Sequence, residues 1–155
     1  MDILIIDDHP LFTSGLTELF SSVIDELSVA SCFSASEAED LLSKHEPKLI
    51  LLDLDLGADC GIALSKTLVC KYPNTKVAIL SANEDIAAMK QCVLNGVVGY
   101  ITKSSSPDVF IKAVQLLLED GSYFPSYLMP YLVSAKSKDI EIQPVTPEFN
   151  LTPRQ

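Results

Sequence analysis

The sequence lacks a long apolar run. Its uninterrupted apolar stretches are short, Leu49-Ile50-Leu51-Leu52 among them, against the ~20 residues that a membrane-spanning helix needs. No membrane partner is expected. No signal peptide is expected either, because Asp2, Asp7 and Asp8 stand where a basic region and an apolar region would have to be. Basic charge is scarce: 11 Lys and Arg face 21 Asp and Glu, for a net charge of -10. A surface that negative repels phosphate backbones and anionic lipid, and suits a divalent cation or a basic partner face. Paired cysteines are also missing. Cys32, Cys60, Cys70 and Cys92 are spaced by 28, 10 and 22 residues, and His9 and His45 lie far from any cysteine pair. That spacing fits no zinc or redox motif and predicts reduced, structural thiols in a cytoplasmic protein.

What is present is an ordinary globular composition over 155 residues, 48% hydrophobic and 21% charged. This is the size of one domain, or one domain and a tail, with enough chain for a core. Short apolar runs alternate with helical periods. Strands are predicted at residues 2–6, 29–33, 48–52, 76–80 and 98–101. Helices are predicted from Pro10 to Ile24, from a cap at Ser34 or Ser36 to His45, and from Asp59 to Tyr72. Two more follow, from Glu84 to Asn95 with Gly96 as a left-handed stop, and from Pro107 to about Glu119 with Ser105 or Ser106 as cap. Strands separated by helices pair in parallel with right-handed crossovers. The fold class is therefore α/β, a doubly wound five-stranded parallel sheet in the flavodoxin-like order 2-1-3-4-5, with helices on both faces. Beyond Gly121, residues 125–135 suggest a short extra helix, and residues 136–150, with Pro144 and Pro147, read as linker.

In such a sheet the site lies at the carboxyl ends of the strands. Strand 1 ends in Asp7-Asp8, strand 3 in Asp53, strand 4 in Ser81, and strand 5 leads into Thr102-Lys103. Each alone has a plain structural explanation: Asp forms turns and caps, Ser occupies loops, Lys is solvated. Their conjunction at one edge does not. Carboxylates forced together are stable with a cation between them, and oxygen ligands suit Mg²⁺. An Asp beside that cation is a candidate nucleophile toward a phosphoryl group, with a hydroxyl and a lysine to hold its oxygens.

The chain resembles the receiver domain of a two-component response regulator, of the branch that carries a LuxR-type (NarL-type) DNA-binding domain. The resemblance lies in Asp7-Asp8-His9-Pro10-Leu11 with Gly15-Leu16, and in Leu51-Leu52-Asp53-Leu54-Asp55-Leu56 with Gly61. It continues in Ser81-Ala82 and in the segment Gly96 to Lys103, and covers residues 2 to about 124. It implies a CheY-like fold with Asp53 as phosphoacceptor. It implies Mg²⁺ held by Asp7, Asp8, Asp53 and the backbone carbonyl of Asp55, and phosphoryl oxygens bound by Ser81 and Lys103. Tyr100 matches the family's aromatic switch residue, and equally suits a core aromatic. The implied partners are a sensor histidine kinase or phosphotransfer protein, and a second copy on activation. DNA would be reached only through a further C-terminal domain, and the receiver would not be an enzyme beyond catalysing its own phosphorylation and dephosphorylation. Two departures stand out: Gly57 occupies the place of the family's usual proline, which predicts a less rigid loop, and Asp55 puts an extra carboxylate near the site.

The resemblance divides the chain into a receiver at 1–124, a short helix and linker at 125–150, and, at 151–155, the start of a truncated LuxR-type helix-turn-helix domain. There Leu151-Thr152-Pro153-Arg154-Gln155 would open a helix, with Thr152 as cap. The main alternative is a pseudo-receiver that works by protein contacts without phosphorylation. A haloacid-dehalogenase-type phosphatase is weaker. Asp53-Leu54-Asp55 has its Asp-x-Asp pattern, but after the third strand and with no room for a cap domain. A flavodoxin-type cofactor binder is disfavoured by the acidic loop after strand 1, which would repel a flavin phosphate.

Overall fold

A computed structural model describes residues 1–57, 59–82 and 84–131. Residues 132–155, which carry the expected linker and the expected start of a helix-turn-helix domain, lie outside the described residues. Five strands form one parallel sheet: β1 (Ile3–Ile6), β2 (Val29–Cys32), β3 (Leu49–Asp53), β6 (Lys76–Ser81) and β7 (Gly99–Thr102). Two short strands, β4 (Asp55–Leu56) and β5 (Asp59–Cys60), pair with each other instead and are antiparallel. The main sheet runs β2-β1-β3-β6-β7, the order that the alternation predicts.

The central strands β1 and β3 are apolar up to their carboxyl ends because both faces are covered. Alternate residues sort to opposite sides. Leu4, Ile6, Ile50, Leu52, Val77, Ile79 and Tyr100 share one core with Ala38, Leu42, Leu68 and Met89. These come from α2 (Ala35–Lys44), α3 (Gly61–Lys71) and α4 (Ile86–Asn95). Ile3, Ile5, Leu49, Leu51, Ala78, Leu80 and Ile101 share the other with Leu16, Phe20, Phe110, Val114 and Leu117, from α1 (Pro10–Val23) and α5 (Pro107–Leu118). The central strand residues are fully buried, and each such Leu or Ile contributes about 1.5–3 kcal/mol of transfer free energy.

Helix ends follow local chemistry. Pro10 and Pro107 sit in the first turns of α1 and α5, where a missing N–H costs nothing. Ser34 caps α2 by accepting from the Glu37 N–H at 3.2 Å, while Glu37 reaches back to the Phe33 N–H at 2.7 Å. Ser106 caps α5, accepting from the Val109 N–H at 3.3 Å. Gly96 ends α4 at φ +104°, the left-handed stop expected there. Two helix starts differ from expectation. α3 begins at Gly61 rather than Asp59, because Asp59-Cys60 is drawn into the β4–β5 pairing. α4 begins at Ile86, because the Asp85 side chain accepts from the Ala87 N–H at 3.0 Å and fixes the cap there.

The segment after α5 returns along the sheet. Tyr123 bridges to Gly99 in parallel. Its N–H donates to Val98 O at 3.1 Å, and its carbonyl accepts from the Tyr100 N–H at 2.8 Å. A 3-10 turn at Ser126–Leu128 follows. It leads into helical residues at 129–131, in the place of the helix expected over 125–135, whose residues 132–135 lie outside the described residues. Leu128 is fully buried in the core that contains Tyr100.

Candidate functional site

The register of the sheet aligns the strand ends. Ile6 pairs with Leu52, Asp53 with Leu80, and Ser81 with Thr102. Asp7, Asp53, Ser81 and Lys103 therefore emerge side by side, and the Lys103 N–H donates to Ser81 O at 2.8 Å. Asp7 and Asp53 are buried, Asp8 is half-buried, and Ser81 is buried.

Lys103 ties the carboxylates together. Its Nζ lies 2.8 Å from Asp7 Oδ2 and 3.2 Å from Asp53 Oδ2. It donates a hydrogen bond to Asp53. The Asp7 contact is an ion pair without hydrogen-bond alignment, so that buried oxygen has no hydrogen bond. Lys103 Nζ also sits over the Phe12 ring, 4.8 Å from its centroid, a cation–π contact that holds the lysine toward the site. The Asp55 backbone N–H donates to Asp53 Oδ1 at 3.1 Å, while the Asp55 side chain points to an exposed position. Burial raises the Asp53 carboxyl above its usual range, and the neighbouring Asp7 charge adds to this. The Asp55 N–H and Lys103 work against it.

One residue of the site was not anticipated as a site residue. His9 Nδ1 stands 2.7 Å from Asp7 Oδ1, 3.2 Å from Asp8 Oδ1 and 3.5 Å from Asp53 Oδ2. Asp7, Asp8, His9 and Asp53 each offer one donor atom, all within 4.8 Å of one another. The sequence signal was adjacency: His9 directly follows Asp7-Asp8. The hydrogen bond to Asp7 raises the His9 pKa, against the nearby Lys103 charge and burial.

The loop after Asp53 is built around two glycines. Gly57 has φ +68°, a left-handed conformation that proline cannot adopt, in the turn that joins β4 to β5. A Cβ there would stand 3.4 Å from Asp8 Oδ2, and one at Gly61 would fall 2.4 Å from Leu54 Cα. The departure from the family's proline thus belongs to a hairpin that packs against the acidic group. Tyr100 is fully buried behind Ser81. Burial pushes its hydroxyl up to about 12, partly offset by the Ser81 side chain.

Three carboxylates against one lysine leave an excess of negative charge in a partly desolvated place. The donor set is hard, and its excess of carboxylate charge over one lysine fits a divalent cation such as Mg²⁺. A search against protein-family models matches residues 3–115 to the response regulator receiver domain. The chain belongs to the response regulator receiver family. A transcriptional regulatory protein, DegU of Brevibacillus brevis, is 30% identical over 123 residues, covering 79% of this chain and 52% of that protein. A glycerol metabolism activator of Pseudomonas putida is 32% identical over 124 residues, covering 79% of this chain and 56% of that protein. Among solved structures, a LuxR family DNA-binding response regulator from Silicibacter pomeroyi superposes with a TM-score of 0.73 at 29% identity. That match covers 82% of this chain and 98% of the other. The receiver chain thus spans little more than half the length of these curated relatives. Among its described residues, no helix is long and apolar enough to cross a membrane.

Proposed function

We propose that this receiver takes a phosphoryl group on Asp53 from a histidine kinase or phosphotransfer protein and acts as a phosphorylation-controlled switch in a cytoplasmic transcription regulator. The observation that carries this reading is the lysine bridge: Lys103 Nζ within 3.2 Å of Asp53 and 2.8 Å of Asp7. It ties the nucleophile, a cation carboxylate and a phosphoryl-binding cation into one group. Asp7, Asp8, Asp53 and the Asp55 carbonyl would hold Mg²⁺, which when bound neutralises the phosphoryl oxygens. An Asp53 oxygen forms the new bond to phosphorus as the bond from phosphorus to the donor imidazole nitrogen breaks. That nitrogen keeps the electron pair and takes up a proton. Lys103 and the Ser81 hydroxyl bind the phosphoryl oxygens.

Phosphorylation adds about 1.5–2 negative charges. Ser81 would close on the phosphoryl group, and Tyr100, packed behind it, would follow. The surface around α4, β7 and α5 then changes and favours pairing with a second copy. Residues 1–124 would be the switching unit, and residues 125–150 the link to a DNA-binding domain that begins near residue 151. The transcriptional names of the curated relatives support that extension. The chain is not an enzyme in the ordinary sense; its chemistry acts on itself.

Intact mass after incubation with Mg²⁺ and acetyl phosphate tests the reading. One phosphoryl group should be gained by the native chain and none by Asp53→Asn. A native chain that stays unmodified while folded would overturn it in favour of the pseudo-receiver.

A further inference from the structure

Tyr100 stands on β7, the last strand of the sheet, and has a strand neighbour on one side only, Ile79 of β6. Yet it is fully buried. Its outer side is closed by the return of the chain after α5. The Tyr100 N–H donates to Tyr123 O at 2.8 Å, and the Tyr123 N–H donates to Val98 O at 3.1 Å. Gly99, between them, permits this approach: a Cβ there would stand 3.1 Å from the Tyr123 carbonyl oxygen.

The returning segment is anchored at two further points. Leu128 is fully buried in the same core as Tyr100, with Phe124 and Met129 packed against that core. Lys90 Nζ of α4 lies over the Tyr131 ring, 5.6 Å from its centroid. On the inner side, the Ser81 side chain acts on the Tyr100 hydroxyl, and Tyr127, next to Leu128, is near enough to act on it as well. Tyr100 is thus held between the phosphoryl site and the segment 123–131. The five strands pair without that segment, and it lies beyond residues 3–115, which match the receiver family.

We infer that Leu128 is a positioning residue for the phosphoryl site: it seats the segment 123–131 over the outer side of Tyr100 and keeps that ring turned toward Ser81. This rests on the receiver reading and adds to its switch a segment that follows α5. Coupling of this kind is reciprocal. A seated segment strengthens the hold on the phosphoryl group, and an occupied site holds the segment more firmly. Leu128→Ala leaves a void in that seat and should loosen both.

The test is binding of beryllofluoride with Mg²⁺, a stable stand-in for the phosphoryl group, read from its bound ¹⁹F signal. The native full chain is compared with Leu128→Ala, Leu128→Met and Leu42→Ala. Leu42 is buried in the same core, but from α2, which follows the strand at the opposite edge of the sheet, so it controls for general loosening. Leu128→Ala should lose at least fivefold in affinity, and Leu128→Met should stay within twofold of native. Leu42→Ala should also stay within twofold while its Tm falls as far as that of Leu128→Ala. In the native chain, amides over 123–131 should exchange at least fivefold more slowly once beryllofluoride is bound, with no change in Asp53→Asn. Where Leu128→Ala does not fold, this exchange decides alone. Native affinity in a folded Leu128→Ala overturns the inference. So does an equal loss in Leu42→Ala, or exchange over 123–131 that ignores the bound ligand. In those cases the native chain still binds beryllofluoride and the receiver reading stands. A folded native chain that binds none overturns both.

Discussion

The two ends of the sheet handle charge in opposite ways. At the amino end, charges come as exposed pairs. Lys48 stands 3.7 Å from Asp2, whose other oxygen accepts from the Ser28 N–H at 2.8 Å. Lys76 binds Asp120 and also donates to Leu117 O at 2.9 Å. These contacts tie the ends of β1, β3 and β6 to neighbouring loops, and each charge has its opposite. At the carboxyl end, Asp7 and Asp53 are buried beside Asp8 with one lysine between them. The same scaffold therefore closes one end with cheap surface pairs and keeps the other electrostatically unbalanced. The imbalance is what a cation and a phosphoryl group would relieve, and it lowers stability until they arrive.

The largest expected effect lies in the backbone that supports the carboxyl end. Gly61→Ala puts a Cβ against Leu54 Cα and carbonyl oxygen, at 2.4 and 2.5 Å. It should cost about 3 kcal/mol, lowering Tm by ~6–12 °C for a domain of this size. A thermal melt with less than ~2 °C of change would show that the crossing can relax.

The next effect has the opposite sign and tests the imbalance itself. Asp53 is raised in the folded chain, so the folded state binds that proton more tightly than the unfolded one. Stability therefore falls as pH rises from the ordinary carboxylate value through the raised one, and stays lower above it. Asp53→Asn should remove this loss and raise the metal-free Tm at pH 7 by about 2–4 °C, equivalent to ~1 kcal/mol. The gain should shrink as pH falls toward 4. Melts of both proteins in chelator across pH 4–8 measure it, and a variant less stable at pH 7 would break the contrast between the two ends. The smallest effect belongs to the amino end. Lys48→Gln should change stability by less than ~0.5 kcal/mol, with no dependence on added Mg²⁺. A larger loss in the same melts would mean that surface pairing there carries more than its exposure suggests.

Legibility in the sequence followed how local the signal was. Pro10, Pro107 and Gly96 mark helix ends by their own backbone chemistry, and all three act where the sequence places them. The caps were narrowed to Ser34 or Ser36 and to Ser105 or Ser106. The choice of Ser34 and Ser106 depends on which hydroxyl meets an N–H three residues on, and that is a matter of backbone direction. The ends of strands β1, β3, β6 and β7 were readable because Asp7-Asp8, Asp53, Ser81 and Lys103 interrupt apolar runs. The register then brings them together without further information. The β4–β5 pairing was not readable, since strands of two residues carry no period, and it displaced the start of α3 from Asp59 to Gly61. His9 escaped notice for a similar reason. Its adjacency to Asp7-Asp8 is visible, but the turn of its ring into the group depends on a side-chain torsion at a helix cap.

The bridge from Tyr123 to Gly99 also bears on self-association. A parallel sheet ends in two rows of unpaired amides and carbonyls, and each is a template on which another chain can add. On the β7 side the chain has occupied the start of that template with its own Tyr123, whose two backbone hydrogen bonds reach Val98 and Tyr100. The opposite margin, β2, offers only four residues and a mixed, partly polar pattern, Val29-Ala30-Ser31-Cys32, which is a poor template for an added strand. The short return of the chain after α5 thus guards the longer-lived risk of any open sheet, polymerisation through its edge.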